Sequence, residues 1–396
     1  MYPNLYYAFK DLFGIELNFL RFVNSFGFFV AIAFIVAAIL LANELRRKSK
    51  QALLQPTEMQ VTVGQPASIA ELLLNFLLGF LLGYKILALF IMKSSATEDP
   101  QAFIFSTLGS WPAGIGLGLL FAVLKWWDKN KKKLAKPEKR TVRIWPHDRV
   151  GEITIIALVF GLLGAKLFDI FENWSDFLKK PKSYLFSPSG LTMYGGLICA
   201  ALAIWWYAKR HKIKFWHLND AAAPSLMLAY SIGRIGCQVA GDGDWGIRSN
   251  LADKPGFLPD WMWSYKFPHN VNEDGIPIPG CVDTKYCNQL EFGVYPTPIY
   301  EVIACFILFL ILWSLRKRLK IPGTLFALYL MFNGVERFFI EKIRVNNRLS
   351  IFGLNPTQAE VISTLLFLSG VALWIILVRN ARRKKASAGQ QQEGSF

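Results

Sequence analysis

The sequence predicts an all-α, polytopic membrane protein of about nine transmembrane helices with an extracytoplasmic cap loop. Three features predict it. Apolar runs near the ~20 residues that cross a bilayer recur along the whole chain. Only 18% of the 396 residues are charged and the mean hydropathy is +0.31, where a soluble chain carries nearer ~25% charge. The excess of 44 Lys+Arg over 28 Asp+Glu, with a pI near 9.6, falls in clusters between the apolar runs. Spread over one surface, that excess would suggest nucleic acid; clustered between spans, it marks topology and contact with anionic lipid.

The predicted spans lie at roughly 20–42, 71–92, 108–127, 151–171, 190–208, 221–239, 297–316, 321–342 and 356–378. No basic segment precedes the first and no small-residue cleavage site follows it, so it reads as a retained span, not a removable signal. Arg46 to Lys48, Lys129 to Arg143, Lys209 to Lys214, Arg316 to Lys320 and Arg379 to Lys385 each follow an odd-numbered span. By the positive-inside rule those ends are cytoplasmic, which puts the N-terminus outside and the C-terminus in the cytoplasm. Lys179, Lys180 and Lys182 fall on the outer side, one local cluster against five consistent ones.

This topology divides the chain into a first transmembrane helix (1–50), an extra helix pair (51–150), a core (151–380) and a disordered cytoplasmic tail (381–396). Within the core, the outer loop 241–296 is rich in Pro, Gly, Asp, Trp and Asn, the composition of an ordered cap more than of a linker. The extra pair reads as a duplication. Glu71 to Lys85 runs Glu, an apolar stretch, then Leu-Leu-Gly83-Tyr-Lys85. Glu152 to Lys166 repeats it as Leu-Leu-Gly164-Ala-Lys166 at the same spacing. Glycine-bearing starts (Trp111 to Gly114, Met193 to Gly196) and tryptophan pairs (Trp126 and Trp127, Trp205 and Trp206) follow each copy.

Cys199, Cys237, Cys281, Cys287 and Cys305 form no metal motif, and His147, His211, His217 and His269 are scattered. Cys281 and Cys287 share one polar loop, where they can form a disulfide or stay as two thiols.

The stretch around Arg234 organises the rest. An arginine deep in an apolar run is costly unless paired or set at a polar cavity, and Gly233 and Gly236 flank this one. Snorkelling to the interface is the plainer alternative. The topology gathers other polar groups toward the same outer face: Lys166, Tyr194, Gly195, Gly196, Asp242, Asp244, Tyr300, Glu301, Arg337, Glu341 and Arg344. Arg337, Glu341 and Arg344 stand at i, i+4 and i+7 on one helical face. The set is expected to keep cations in excess of carboxylates, which suits a phosphate gripped by arginine. Helix repeats, glycines and buried arginines also describe a transporter or channel for an anionic solute.

These residues carry a resemblance. Gly233-Arg234-Ile-Gly236-Cys237-Gln-Val-Ala-Gly241-Asp242 resembles the signature of the prolipoprotein diacylglyceryl transferase family, Gly-Arg-x-Gly-Asn-Phe-x-Asn-Gly-Glu. Asp220 stands where the family keeps an aspartate. Tyr194-Gly195-Gly196 resembles its His-Gly-Gly, and Gly164-Ala165-Lys166 its Gly-Ala-Arg. Tyr295-Pro-Thr-Pro-Ile-Tyr300-Glu301 and Arg337-Phe-Phe-Ile-Glu341-Lys-Ile-Arg344 are similar to two further elements, and Asn24-Ser-Phe26-Gly27 stands at a fourth, Arg-Trp-Tyr-Gly. Here Tyr194 replaces the histidine, Cys237 the asparagine, Phe26 a tyrosine and Asp242 the glutamate. Residues of about 50–150 have no counterpart in the common form.

The resemblance implies transfer of the diacylglyceryl group of phosphatidylglycerol to the lipobox cysteine of a prolipoprotein, with release of glycerol 1-phosphate, in a bacterial cytoplasmic (inner) membrane. No cofactor and no metal is implied. Arg234 and Arg337 are then expected on the phosphate, with Tyr194 and Asp242 as the other catalytic candidates. Gly195, Gly196, Lys166, Gly233, Gly236, Asp244, Tyr300, Glu301, Glu341 and Arg344 are expected to bind substrate.

Overall fold

The computed structural model describes residues 1–88, 103, 108–185, 192–281, 285–345 and 355–393. In chain order the helices are α1 (Leu5–Phe13), α2 (Ser25–Lys50), α3 (Ile69–Leu81, continued by a π-helical turn Leu82–Leu87), α4 (Trp111–Lys131), α5 (Val150–Glu172) and α6 (Trp174–Lys179). Then come α7 (Pro181–Leu185), α8 (Met193–Arg210), α9 (Phe215–Ala240), α10 (Thr297–Leu315), α11 (Thr324–Glu341) and α12 (Gln358–Glu393).

Five stretches are long and apolar enough to cross a membrane: Ser25–Lys50, Ile69–Leu87, Pro146–Glu172, Thr297–Leu315 and Gln358–Lys384. The other four expected spans are helices too, α4, α8, α9 and α11. Polar residues dilute them: α9 holds His217, Asp220 and Arg234, and α11 holds Glu336, Arg337 and Glu341. Residues 89–92 of the second expected span and 190–191 of the fifth lie outside the described residues.

The described chain is mostly helical but not wholly so. β1 (Thr57–Val63) and β2 (Glu138–Ile144) form an antiparallel ribbon, and β3 (Ile276–Pro277) pairs with β4 (Asn288–Gln289) in the cap. The first ribbon escapes a sequence reading because β2 sits inside a basic run and its partner lies across an entire helix pair. α12 also continues as helix to Glu393, through a stretch expected to be a tail; residues 394–396 lie outside the described residues.

The chain divides into two units, Met1–Leu54 with Ile213–Phe396, and Gln55–Lys212. In the first, α9 packs against α2, α10 and α11, and α12 packs on α11. Small residues let α9 come close. A Cβ on Gly236 would stand 3.0 Å from the Phe29 Cβ and 3.3 Å from the Phe26 Cα of α2. Ala223 and Met227 of α9, Cys305 and Leu312 of α10 and Leu325 of α11 fill the core between them. Asp220 fastens the far ends: its carboxylate accepts from the Gly323 N–H (2.8 Å) and the Phe326 N–H (3.1 Å), capping α11 from another helix, with Lys48 Nζ at 3.9 Å.

The cap (241–296) has its own small core. Phe267 is fully buried among the rings of Trp245 and Tyr265. The buried Asn270 accepts from the Asp274 N–H at 2.8 Å and donates to the Asp274 and Phe267 carbonyls. A disulfide joins Cys281 to Cys287; residues 282–284 between them lie outside the described residues.

The second unit contains two helix pairs, α3 with α4 and α5 with α8. Their junctions match. The Ser110 N–H donates to the Tyr84 carbonyl at 3.0 Å, and the Thr192 N–H donates to the Ala165 carbonyl at 3.1 Å, at equivalent positions of the two copies. Gly83 packs on Ala113 and Gly114, and its counterpart Gly164 packs on Gly195 and Cys199. The two helix pairs share one packing register.

Candidate functional site

Three elements of the first unit end together and bring their charged residues to one place: the end of α9, the first turn of α10 and the end of α11. Backbone pairing fixes them. The Gly246 N–H donates to the Tyr295 carbonyl, and the Ile247 N–H to the Ile343 carbonyl, each at 2.8 Å. The Thr297 hydroxyl donates to the Asp244 carbonyl at 2.6 Å. This stitching carries Asp244 between α9 and the residues that follow α11.

Glu301 is the centre, with no exposed surface. Arg234 Nε lies 2.5 Å from its carboxylate, Arg344 Nη1 at 3.8 Å and Arg337 Nη1 at 3.9 Å. The Tyr230 hydroxyl donates to Glu301 Oε2 at 2.6 Å and accepts from Arg234 Nη2 at 3.1 Å. Asp244 bridges two guanidiniums, accepting from Arg234 on one oxygen and Arg344 on the other. Arg337 is held more loosely: Glu341 stands 3.5 Å from Nη2, and Nη1 has no hydrogen-bond partner among the described residues. Arg234 Nη1 also reaches the Cys237 sulfur at 3.7 Å.

Burial would raise the Asp244 carboxyl, but the guanidiniums of Arg234 and Arg344 outweigh it and hold the group below the usual carboxylate range. Burial pushes the neighbouring Asp242 carboxyl up, and the charge of Asp244 adds to the shift. Asp242 has no cation within 4.0 Å among the described residues, and neither does Glu336, which is buried beside Arg337 with both carboxylate oxygens unbonded.

The expected excess of cations is therefore not what this cluster holds. Arg234, Arg337 and Arg344 are matched by Asp244, Glu301 and Glu341, with Asp242 and Glu336 in addition. Membrane desolvation accounts for the match: a guanidinium is tolerated in an apolar setting when a carboxylate stands against it. An incoming phosphate would have to replace a carboxylate on its arginine. The contacts of 3.5–3.9 Å around Arg337 and Arg344 are the ones most easily exchanged.

The remaining expected residues have other surroundings. The Tyr300 hydroxyl donates to the Met262 carbonyl at 2.5 Å, tying α10 to the cap. Gly236 is a contact point for α2, whereas Gly233 has open space where a side chain would be. Lys166, Tyr194, Gly195 and Gly196 belong to the second unit. There Lys166 Nζ lies 3.3 Å from Asp169 and 4.7 Å over the Tyr184 ring. Tyr194 is half-buried at the start of α8. Gly195 and Gly196 face α5, where a Cβ would meet the Gly164 carbonyl at 2.6 Å and the Gly161 carbonyl at 2.7 Å, so helix packing accounts for both. Sequence reasoning passed over Tyr230, Thr297 and Glu336. Tyr230 was within reach, one helical turn before Arg234.

Cys237, Asp242 and Asp244 bring three donor atoms within 4.8 Å of one another. Asp244 already serves two guanidiniums, so a metal ion there would meet two fixed positive charges.

The sequence pattern of the prolipoprotein diacylglyceryl transferase family matches residues 107–376, which takes in every member of the cluster. A phosphatidylglycerol–prolipoprotein diacylglyceryl transferase of Clostridium novyi (strain NT) is 30% identical over 238 residues, 60% of this chain and 82% of its own. One of Dehalococcoides mccartyi (strain CBDB1) is 29% identical over 294 residues, 72% of this chain and 96% of its own.

Proposed function

The chain belongs to the prolipoprotein diacylglyceryl transferase family, and from that premise we propose that it transfers the diacylglyceryl group of phosphatidylglycerol to the lipobox cysteine thiol of a prolipoprotein. The observation that carries this reading is the buried Arg234–Glu301–Arg337–Arg344 cluster beneath the cap. In the reaction the thiol sulfur bonds to the glyceryl carbon. The carbon–oxygen bond to phosphate breaks, and its electron pair leaves with glycerol 1-phosphate. Charge grows on the departing phosphate, and fixed donors aimed at growing charge are the largest single catalytic aid available.

Arg337 suits that task because Nη1 has no hydrogen-bond partner among the described residues and its carboxylate contacts are long. Arg234, whose three nitrogens are engaged by Glu301, Asp244 and Tyr230, would reach the phosphate by exchanging one of those partners. Arg344 and Glu341 complete the frame, and Asp244 orients two of the three arginines. A thiol of pKa near ~8.5 needs only modest help to lose its proton. Asp242, with its proton affinity raised by burial, is the group we assign to take that proton and pass it on to the leaving phosphate or to water. Within the second unit, Lys166 and Tyr194 are proposed as contacts of the substrate.

In this reading the nine apolar runs all span a bacterial inner membrane, the N-terminus and cap lie outside, and the C-terminus is cytoplasmic. Residues 151–380 form the catalytic core, and 51–150 are an added helix pair. The purified protein, given phosphatidylglycerol vesicles and a lipobox peptide, is expected to yield a thioether-linked peptide and glycerol 1-phosphate in equal amounts. Movement of a solute without either product would instead make the chain a transporter.

A further inference from the structure

The β1–β2 ribbon of the second unit has two unlike faces. Directly opposed residues of an antiparallel ladder share a face, and successive residues alternate. The register sets Met59 against Val142, Val61 against Arg140 and Thr57 against Ile144 on one side. On the other it sets Glu58 against Arg143, Gln60 against Thr141 and Thr62 against Lys139. The first side is apolar at its centre and open, with Met59 47% and Val142 42% exposed. A two-stranded ribbon is marginal in water, so an apolar face of this kind calls for a cover.

Charge and place identify the cover. Five lysines lie between 129 and 136, just before β2, and Lys139, Arg140 and Arg143 lie on it. Arg140 and Arg143 are matched by Glu138 (2.9 Å) and Glu58 (3.1 Å). Among the described residues Lys131, Lys133, Lys136 and Lys139 have no ion-pair partner. Short loops join β1 to the start of α3 (64–68), the end of α4 to β2 (132–137) and β2 to the start of α5 (145–149). The ribbon is thus tethered to the ends of three apolar helices, two of them within candidate membrane spans.

We infer that the ribbon is a docking surface for an anionic bilayer. Met59, Val61 and Val142 enter the headgroup–acyl boundary, and Lys131, Lys133 and Lys136 beside the ribbon meet anionic headgroups. Apolar area facing lipid with basic residues beside it is the combination that holds interfacial elements on membranes. The inference rests on the chain being embedded in a membrane and not on its chemistry.

Spin labels at Val142→Cys and Thr141→Cys, in a Cys199→Ser background of the full chain, test it. The protein is reconstituted in phosphatidylcholine vesicles with or without phosphatidylserine, and each label is probed with oxygen and with a water-soluble nickel chelate. With phosphatidylserine, the 142 label should favour oxygen and be several-fold less open to the chelate than the 141 label. That contrast should shrink in phosphatidylcholine alone, and likewise when Lys131, Lys133 and Lys136 become Gln. Equal chelate access at 141 and 142 overturns the inference. So does protection of 142 from both reagents, which would mean a protein cover, or a contrast indifferent to anionic lipid.

Discussion

Arg234 and Arg337 should fail in different ways when each is replaced by alanine. Arg234 is the near partner of Glu301, at 2.5 Å, and it also holds Asp244 and Tyr230. Without it Glu301 stays fully buried, with its closest remaining cations at 3.8 and 3.9 Å. Removing one partner of a buried pair costs about 3–5 kcal/mol, so Arg234→Ala should lower both stability and turnover. Arg337 is different. Its contacts of 3.5 and 3.9 Å are longer than the 2.5 Å contact of Arg234 with Glu301, so less pairing energy is lost with it. Its loss leaves Glu301 with Arg234 and takes a cation from the buried Glu341, so the unfolding midpoint should fall, but less than in Arg234→Ala. If Arg337 supplies a donor to the leaving phosphate, though, turnover should fall ~10²–10³-fold. Arg337→Lys should recover only part of that, since an ammonium cannot present a planar fork. The paired measurement is thermal unfolding in detergent and glycerol phosphate release from phosphatidylglycerol. An Arg337→Ala protein that is well folded and near wild type in release would refute the assignment, and one as unstable as Arg234→Ala would refute the distinction.

Three further outcomes are expected. Because burial raises the Asp242 carboxyl, its ionised, proton-accepting form is lost on acidification at a pH above the ~3.9 of a free aspartate; wild-type turnover should fall there, and Asp242→Asn should be slow and lack that acidic limb. Intact mass after alkylation without reductant should show Cys281 and Cys287 unmodified, and two added labels in that loop would contradict the disulfide. Lys85→Ala should cost much less activity than Lys166→Ala when both reach the membrane. Lys85 Nζ is occupied by the Phe103 and Leu108 carbonyls at 3.1 and 2.8 Å, within the extra helix pair, and equal losses would bring that pair into the chemistry.

What could be read from the sequence was what repeats locally. Apolar runs marked the helices, and the i, i+4, i+7 spacing of Arg337, Glu341 and Arg344 foretold a shared face. The Arg337–Glu341 pair agrees with that spacing, but α11 ends at Glu341, so Arg344 approaches Glu301 from beyond the helix and not from a shared helical face. The expected cation excess overlooked four carboxylates already in the set, Asp242, Asp244, Glu301 and Glu341; what only the fold shows is that Asp244 of the cap and Glu301 of α10 close on Arg234. A count of cations on one helix cannot show how deeply Glu301 is set. Glycines misled in a related way. Gly195 and Gly236 sit in motifs that suggest ligand approach, yet each has a neighbouring helix where a side chain would go. The β1–β2 ribbon was hidden by separation: each strand alternates, but nothing in either names its partner across a helix pair. Asp220 shows the converse: its place in a motif drew notice, but only the fold reveals that it caps another helix.

That ribbon also bears on the length of the chain. Thr57 is paired with Ile144, and directly opposed strand residues stand only ~4.5–5.5 Å apart. Everything from Glu58 to Arg143, helices α3 and α4 included, therefore leaves the fold and returns to it at a single point. Such a segment behaves as a cassette: gaining or losing it leaves the flanking ends beside each other, and loop-closure entropy changes only slowly with the length enclosed. The helices on either side keep their junction whatever length is enclosed, and the two helix pairs can differ at theirs, with Tyr194-Gly195-Gly196 in one and Trp111-Pro112-Ala113-Gly114 in the other.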